Sequence, residues 1–352
     1  MPHTLNSLQR SSSDSAQAPT AIGHSEGTLR RRTALAALAA TAAGLAAPGA
    51  AWAQAASDRP LRLVLPVSAG SGVDGLARAF APGLGKALGR GVVIENFPGA
   101  GGITGTSVIV KAPKDGAVLG MVSNNHVVNP SVYKTMPYDA VQDITPITVI
   151  GATPFVLVAH PSVAAKNVRE LIALAKAQPG TLNYGSSGNG TILHLAAEMF
   201  VHEAQVDIKH IPYRGMGPLT ADVLGGQIQM AFIAVAVAAP HVKAGTLKAI
   251  GLSSTTRSPL LPDLATIAEQ GLPQYALDGW VAMVGPAGLP KAEAERAHQA
   301  VVSALAVPEI RDALLAQGYQ LQATAPEPTA AFFRSEVARM ARLVKQSGLK
   351  ID

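Results

Sequence analysis

The stretch LRLVLPVSAGSGVDGLARAFAPGLGKALGRGVVIE, residues 61–95, holds a strand, a turn, a helix and a second strand in succession. Residues 61–67 form a near-continuous apolar run, the pattern of a strand buried on both faces. Ser68-Ala69-Gly70-Ser71-Gly72 then reads as a tight turn. Over residues 73–88, Leu76, Phe80, Leu84 and Leu88 recur at every fourth position, which places them on one helical face. Pro82, Gly83 and Gly85 predict a kink or an early break in that helix. Gly89 closes it, and residues 92–95 form the next strand. A strand–helix–strand unit implies a parallel sheet with a right-handed crossover.

The pattern continues outward from this unit. A glycine loop, Gly99 to Gly105, leads into a short helix, and further strands are expected at 118–123, 156–159, 208–212, 227–237 and 247–252. Asn167 followed three residues later by Glu170 is a capping box, and Pro179-Gly180 ends the helix it opens. A strand through Asn183 and Tyr184 runs into a polar glycine turn and a helix at 192–201, and the chain beyond Pro290 is mostly helical. The class is α/β with parallel sheets, and no repeat of 20–50 residues is visible.

Composition narrows the function. The chain has 352 residues, no cysteine, a net charge of +5, 14% charged and 4% aromatic residues. Without cysteine, neither a disulfide framework nor a thiolate metal site exists. Twenty-eight basic residues spread over this length make no nucleic-acid stripe, and three of them, Arg30, Arg31 and Arg32, sit together ahead of an Ala/Leu run. That run ends in Ala51-Trp52-Ala53 before Gln54, so residues 1–53 read as a cleaved export signal. The arginine cluster leaves twin-arginine and Sec export both open. Cleavage removes Arg10 and the arginine triplet against only Asp14 and Glu26, so much of the excess charge belongs to the leader.

Chemistry concentrates in four Gly/Ser turns, each between a strand and a helix: 68–72, 99–105, 123–126 and 186–191. Such turns aim unpaired N–H groups and the positive end of a helix dipole at one point, which suits an anion. They belong at the carboxyl ends of strands, where open α/β sheets bind ligands. Nucleotide motifs are missing: GAGGITG carries Thr104 where G-x-G-x-x-G needs its third glycine, and no Walker sequence occurs. Gly185-Ser186-Ser187-Gly188-Asn189 fails the hydrolase elbow at Asn189. His194, Glu198 and His202 share a helical face but lack the H-E-x-x-H arrangement, so they read as a polar helix face and no metal is expected. Arg214 is open between pairing with a substrate carboxylate and lying on the surface.

The segments RPLRLVLPVSAGSGVDGLAR, VVIENFPGAGGITGT, NYGSSGNGTILHLAAEMF, HIPYRG and PHVKAGTLKAIGLSS, in this order over the whole chain after the leader, resemble Bug-type receptors. These are the extracytoplasmic solute receptors of tripartite tricarboxylate transporters. The resemblance implies a two-lobed periplasmic binding protein of type II-like fold, each lobe a mainly parallel sheet flanked by helices, joined by a hinge of two strands. It implies lobe 1 at 54–155 plus 279–352 and lobe 2 at 156–278. It implies a small organic acid held between lobes by Ser68, Ala69, Gly70, Ser71, Gly72 and Asp74 on one side and Ser187, Gly188, Asn189 and Thr191 on the other. Asn124, His126, Tyr213, Arg214 and Ala234 would complete the walls. Two departures from the family pattern stand out: Val73 replaces a hydroxyl residue, and Ile233, Ala234 and Ala236 replace a polar pair and its proline. The implied ligand is therefore a monocarboxylate with an apolar tail. The expected protein is a monomer without catalytic residues, cofactor, metal or nucleic acid, working in the periplasm with membrane permease subunits. A sensor subunit serving a receptor kinase and a secreted hydrolase are the rival functions.

Overall fold

The computed structural model describes residues 59–349, so the leader read at residues 1–53 lies outside the described residues. Strand β1 is Leu61–Leu65, helix α1 Gly72–Leu88 and β2 Val92–Asn96, with β1 and β2 paired in parallel. Helix α1 begins where Ser71 Oγ accepts the Asp74 N–H at 3.2 Å and stops at Gly89, whose φ of 67° lets its N–H cap the last turn. It runs through Pro82 to Leu88, so the early break left open by the sequence does not occur. Pro82 lies on the exposed side, where water can take the carbonyl freed one turn back. The adjacent Gly83 instead faces the partner helix: a Cβ there would lie 3.2 Å from the Ala304 Cβ. Leu76, Phe80 and Leu84 are fully buried in one core with Leu61, Leu63 and Leu65, each contributing roughly 1.5–3 kcal/mol.

The chain continues through α2 (Ile103–Val110), β3 (Val118–Ser123) and α3 (Asn125–Val132) into β4, Ile144–Ala159. The expected strand at 156–159 is only the end of this 16-residue element. Pro146 and Pro154 within it demote a strand in any sequence reading, but the register shifts beside Pro146 absorb the first of them. Gly151 sits where β10 (Gln320–Leu321) crosses; a Cβ there would be 2.8 Å from the Gln320 carbonyl oxygen.

Then follow α4 (Val168–Ala177), β5 (Asn183–Ser186), α5 (Ile192–Ala204), β6 (Lys209–Pro212), α6 (Met216–Leu224) and β7 (Met230–Ala234). The strand expected at 227–237 is shorter: after Ala234 the chain turns into α7, Val235–Lys243. The Ala/Val run there satisfies strand and buried helix alike, so composition could not place the boundary. Strand β8 (Lys248–Leu252), β9 (Asp278–Pro286), α8 (Lys291–Leu305), α9 (Pro308–Ala316) and α10 (Pro326–Ser347) follow among the described residues.

The strand order is β2-β1-β3-β9-β4-β7-β5-β6, with β8 and β10 both attached to β4. Parallel pairs form the two outer groups, β2-β1-β3 and β7-β5-β6. Between them β9 and β4 run antiparallel to their neighbours, so the whole is a mixed sheet with helices on its faces. Strand β4 pairs with β9 up to Pro154 and with β7 and β8 from Phe155 onward. The chain returns at Asp278, directly opposite Pro154. No helix among the described residues is long and apolar enough to cross a membrane.

Candidate functional site

The turns that leave the carboxyl ends of the parallel strands converge on one cleft of about 670 Å³. On the β1 side, Ser68, Ser71 and Gly72 line it. Ala69 and Gly70 are exposed and do not. Gly72 must stay small, because a Cβ would lie 3.1 Å from the Ala234 Cβ across the cleft. The N–H groups of Gly72 and Val73 open helix α1 and have no intrahelical acceptor, so they are available to a bound anion.

Asp74 was expected among the ligand contacts, but its carboxylate is buried behind the turn. It accepts from the Gly70 N–H, Arg78 Nε and Asn96 Nδ2, each at 3.0 Å. Burial alone would raise its pKa, but the bonds from Arg78, Gly70 and Asn96 outweigh burial and hold the carboxyl below its ordinary range. The physical reason is the surrounding donors: the Arg78 guanidinium, the Asn96 amide and the Gly70 N–H all lie behind the turn, so the carboxylate points there and orders the backbone.

Beside this turn, Gly99, Gly101 and Gly102 line the cleft with φ of 127°, 62° and 91°. A Cβ on Gly102 would be 2.9 Å from the Pro66 carbonyl oxygen, so glycine is needed for the close approach of the two turns. Asn124 lines the wall, yet both ends of its amide are used: Nδ2 donates to the Asp278 carbonyl at 3.0 Å and Oδ1 accepts the Trp280 N–H at 2.8 Å. It fastens β9 to the cleft floor. His126 does not reach the cleft. Its Nε2 lies 2.7 Å from the Ala140 carbonyl, its ring stacks on Tyr138, and burial pushes its pKa down to about 4.

On the far side, Ser187, Gly188, Asn189 and Thr191 all line the cleft, as does Ala234. Most donors of this turn are already engaged. Gly188 N–H goes to Ser186 Oγ, Gly190 N–H to His194 Nδ1, Thr191 N–H to the Gly188 carbonyl and His194 N–H to Thr191 Oγ1. The N–H groups of Ser187, Asn189 and Leu193 carry no protein partner among the described residues. Tyr213 lines the wall with its hydroxyl turned away, donating to Asp222 at 2.7 Å; burial and Asp222 push its pKa up to about 12. Arg214 lines the cleft while remaining exposed, and it is the one charged side chain among the described lining residues.

Hydrogen bonds between the turns join the two sides. Asn125 Oδ1 accepts the Ile192 N–H at 2.7 Å, Tyr133 donates to the Asn189 carbonyl at 3.1 Å, and Ser68 Oγ accepts the Met216 N–H at 3.2 Å. Asn125, Tyr133, Phe155, Trp280 and Tyr319 are cleft residues that sequence reasoning missed. Asn125 lay within a recognised turn, so it was within reach. Trp280 and Tyr319 arrive from elements more than 150 residues away from that turn and leave no local signal. The Trp280 indole is fixed from behind by Glu336, which accepts its Nε1–H at 2.9 Å.

Residues 76–349 match the family model of the tripartite tricarboxylate transporter family receptor. The chain belongs to that family. It is 32% identical over 311 residues to protein BugT of Bordetella pertussis, covering 88% of this chain and 95% of that protein. Among solved structures, the periplasmic binding protein BugD matches with a TM-score of 0.80 and 29% identity, over 83% of this chain and 98% of BugD. Rpa4515 of R. palustris with adipate also matches with a TM-score of 0.80, at 30% identity, over 83% of this chain and 98% of that one. The family member described above is thus a solute-binding receptor with the two-lobed fold of periplasmic binding proteins.

Proposed function

We propose that this receptor captures a small carboxylate-bearing organic acid in the periplasm, as a monomer, and presents it to membrane permease subunits without transforming it. One observation carries the reading: the cleft offers a single cationic side chain, Arg214, and no acidic one among the described lining residues. An anion finds donors there, and an ammonium group finds no counter-charge. The cost of removing a carboxylate from water is offset by charge-assisted hydrogen bonds from the helix-opening N–H groups and the turn hydroxyls. Adipate bound to the relative Rpa4515 supports the ligand class.

The tail of the ligand is apolar in this reading. Ala234 faces Gly72 in the cleft beside Phe155, Val281 and Leu193. Ile233, expected to share this role, is buried away from the cleft, and Ala236 is outside its lining. The lobes are 54–155 plus 279–352 and 156–278; the switch of β4 partners at Phe155 and the return at Asp278 support these limits. Ligand bridging both sides draws the lobes together, and the permease reads the closed form. Native mass spectrometry of the protein purified without refolding, followed by calorimetric titration with mono- and dicarboxylates, tests the reading. A bound monocarboxylic acid with a hydrocarbon tail is the expected result. Binding of aspartate or citrate with no response to any apolar monocarboxylate overturns the tail assignment, and binding of amines alone overturns the ligand class.

A further inference from the structure

Behind the 186–191 turn lies a cluster of titratable groups with no part in contacting the cleft. His194 on α5 and His210 on β6 stack with ring centroids 3.8 Å apart. Tyr184 on β5 lies 5.0 Å from the His210 ring and 6.3 Å from that of His194, and its hydroxyl donates to Glu198, one turn along α5. The Glu198 carboxylate is 3.8 Å from His194 Nε2, too far for a hydrogen bond. Ser186 Oγ lies 2.6 Å from His210 Nε2 and accepts the Gly188 N–H at 3.2 Å. His194 Nδ1 accepts the Gly190 N–H at 3.0 Å, so the ring proton sits on Nε2.

The turn needs such tethers. Gly188 and Gly190 have φ of 132° and 70°, conformations that an untethered chain would exchange for others. We propose that His194, stacked on His210, is a positioning residue for the ligand-holding turn: its Nδ1 lone pair draws the Gly190 N–H inward and leaves Ser187, Asn189 and Leu193 to present their N–H groups to the ligand. Burial, with a smaller contribution from His210, pushes His194 down to about 3, and burial pushes His210 down to about 4. Both rings are therefore uncharged at neutral pH, where the acceptor is present. A proton on Nδ1 would set donor against donor at Gly190.

This inference rests on the reading that the turn holds the ligand, so its test contains no ligand and the two fail separately. Hydrogen exchange is followed by NMR at the Gly190 amide, with the amides of β7 as internal reference, in the wild type, His194→Leu and His194→Asn. Asparagine places Oδ1 where Nδ1 stands and takes no proton in this range. The expected result is a loss of Gly190 protection by about tenfold in His194→Leu and recovery to within about threefold in His194→Asn. As the pH falls through about 3 the wild type loses Gly190 protection relative to β7 and His194→Asn does not. Should the leucine variant lose β7 protection as well, the acid comparison between wild type and His194→Asn decides. Unchanged Gly190 protection in a folded His194→Leu, or the same acid loss in His194→Asn as in the wild type, overturns the inference.

Discussion

Two turns face each other across the cleft with the same outward design and opposite backing. The 68–72 turn and the 186–191 turn each follow a parallel strand, open a helix and rely on glycine at positive φ. Behind the first stands an ionic tie, in which Asp74 gathers Arg78, Asn96 and the Gly70 N–H. Behind the second stands an uncharged stack, His194 on His210, with Tyr184 and Ser186. One arrangement of donors toward an anion is thus compatible with two ways of ordering the backbone. The backing, rather than the cleft-facing atoms, decides how each side responds to acid and to substitution.

The largest break in this comparison is expected from Asp74→Asn, which leaves several donors competing for one acceptor. Stability at neutral pH should fall by about 1–2 kcal/mol in denaturant titrations. The folded-state pKa of Asp74 is depressed, so its contribution is full above the unfolded value of about 3.9 and is lost as pH falls through the folded pKa. The gap between variant and wild type should accordingly narrow in acid. A gap that is constant with pH would show that the tie is not ionic.

Asn125→Ala sharpens the contrast from the other side. It removes the acceptor for the Ile192 N–H across the cleft while leaving both backings intact. Affinity for an apolar monocarboxylate should weaken by about five- to tenfold through a less populated closed form, with the unfolding midpoint nearly unchanged. A large stability loss with unaltered affinity would assign Asn125 to the fold and not to closure. The smallest effect is expected from Arg214→Gln. The side chain is exposed, so association should slow by a few-fold at low salt and match the wild type at high salt, measured by stopped flow.

Much of this molecule could be read in order along the chain. The β1–α1–β2 unit and the glycine turns follow from period, turn chemistry and helix polarity, which are local properties. The misreadings share a cause. Asp74 and His126 carry the side chains expected of ligand contacts, and their neighbours turn them inward. The long strand β4 hides behind its prolines because its register shifts are paid out against β9, more than 120 residues away. Ala234 lines the cleft, while the strand around it ends three residues before the limit expected from its Ala/Val run.

The sequence by itself determined the α/β class, the turns that hold N–H groups outward, the absence of thiol chemistry and the family resemblance, since each depends on residue type and short spacing. Only the tertiary structure decided which donors remain free, that one turn is backed by an ion pair and the other by stacked imidazoles, and that Asn125, Tyr133 and Ser68 reach across the cleft. Those facts depend on which distant groups share a few ångströms of space, and hydrogen bonds and burial are set by that proximity.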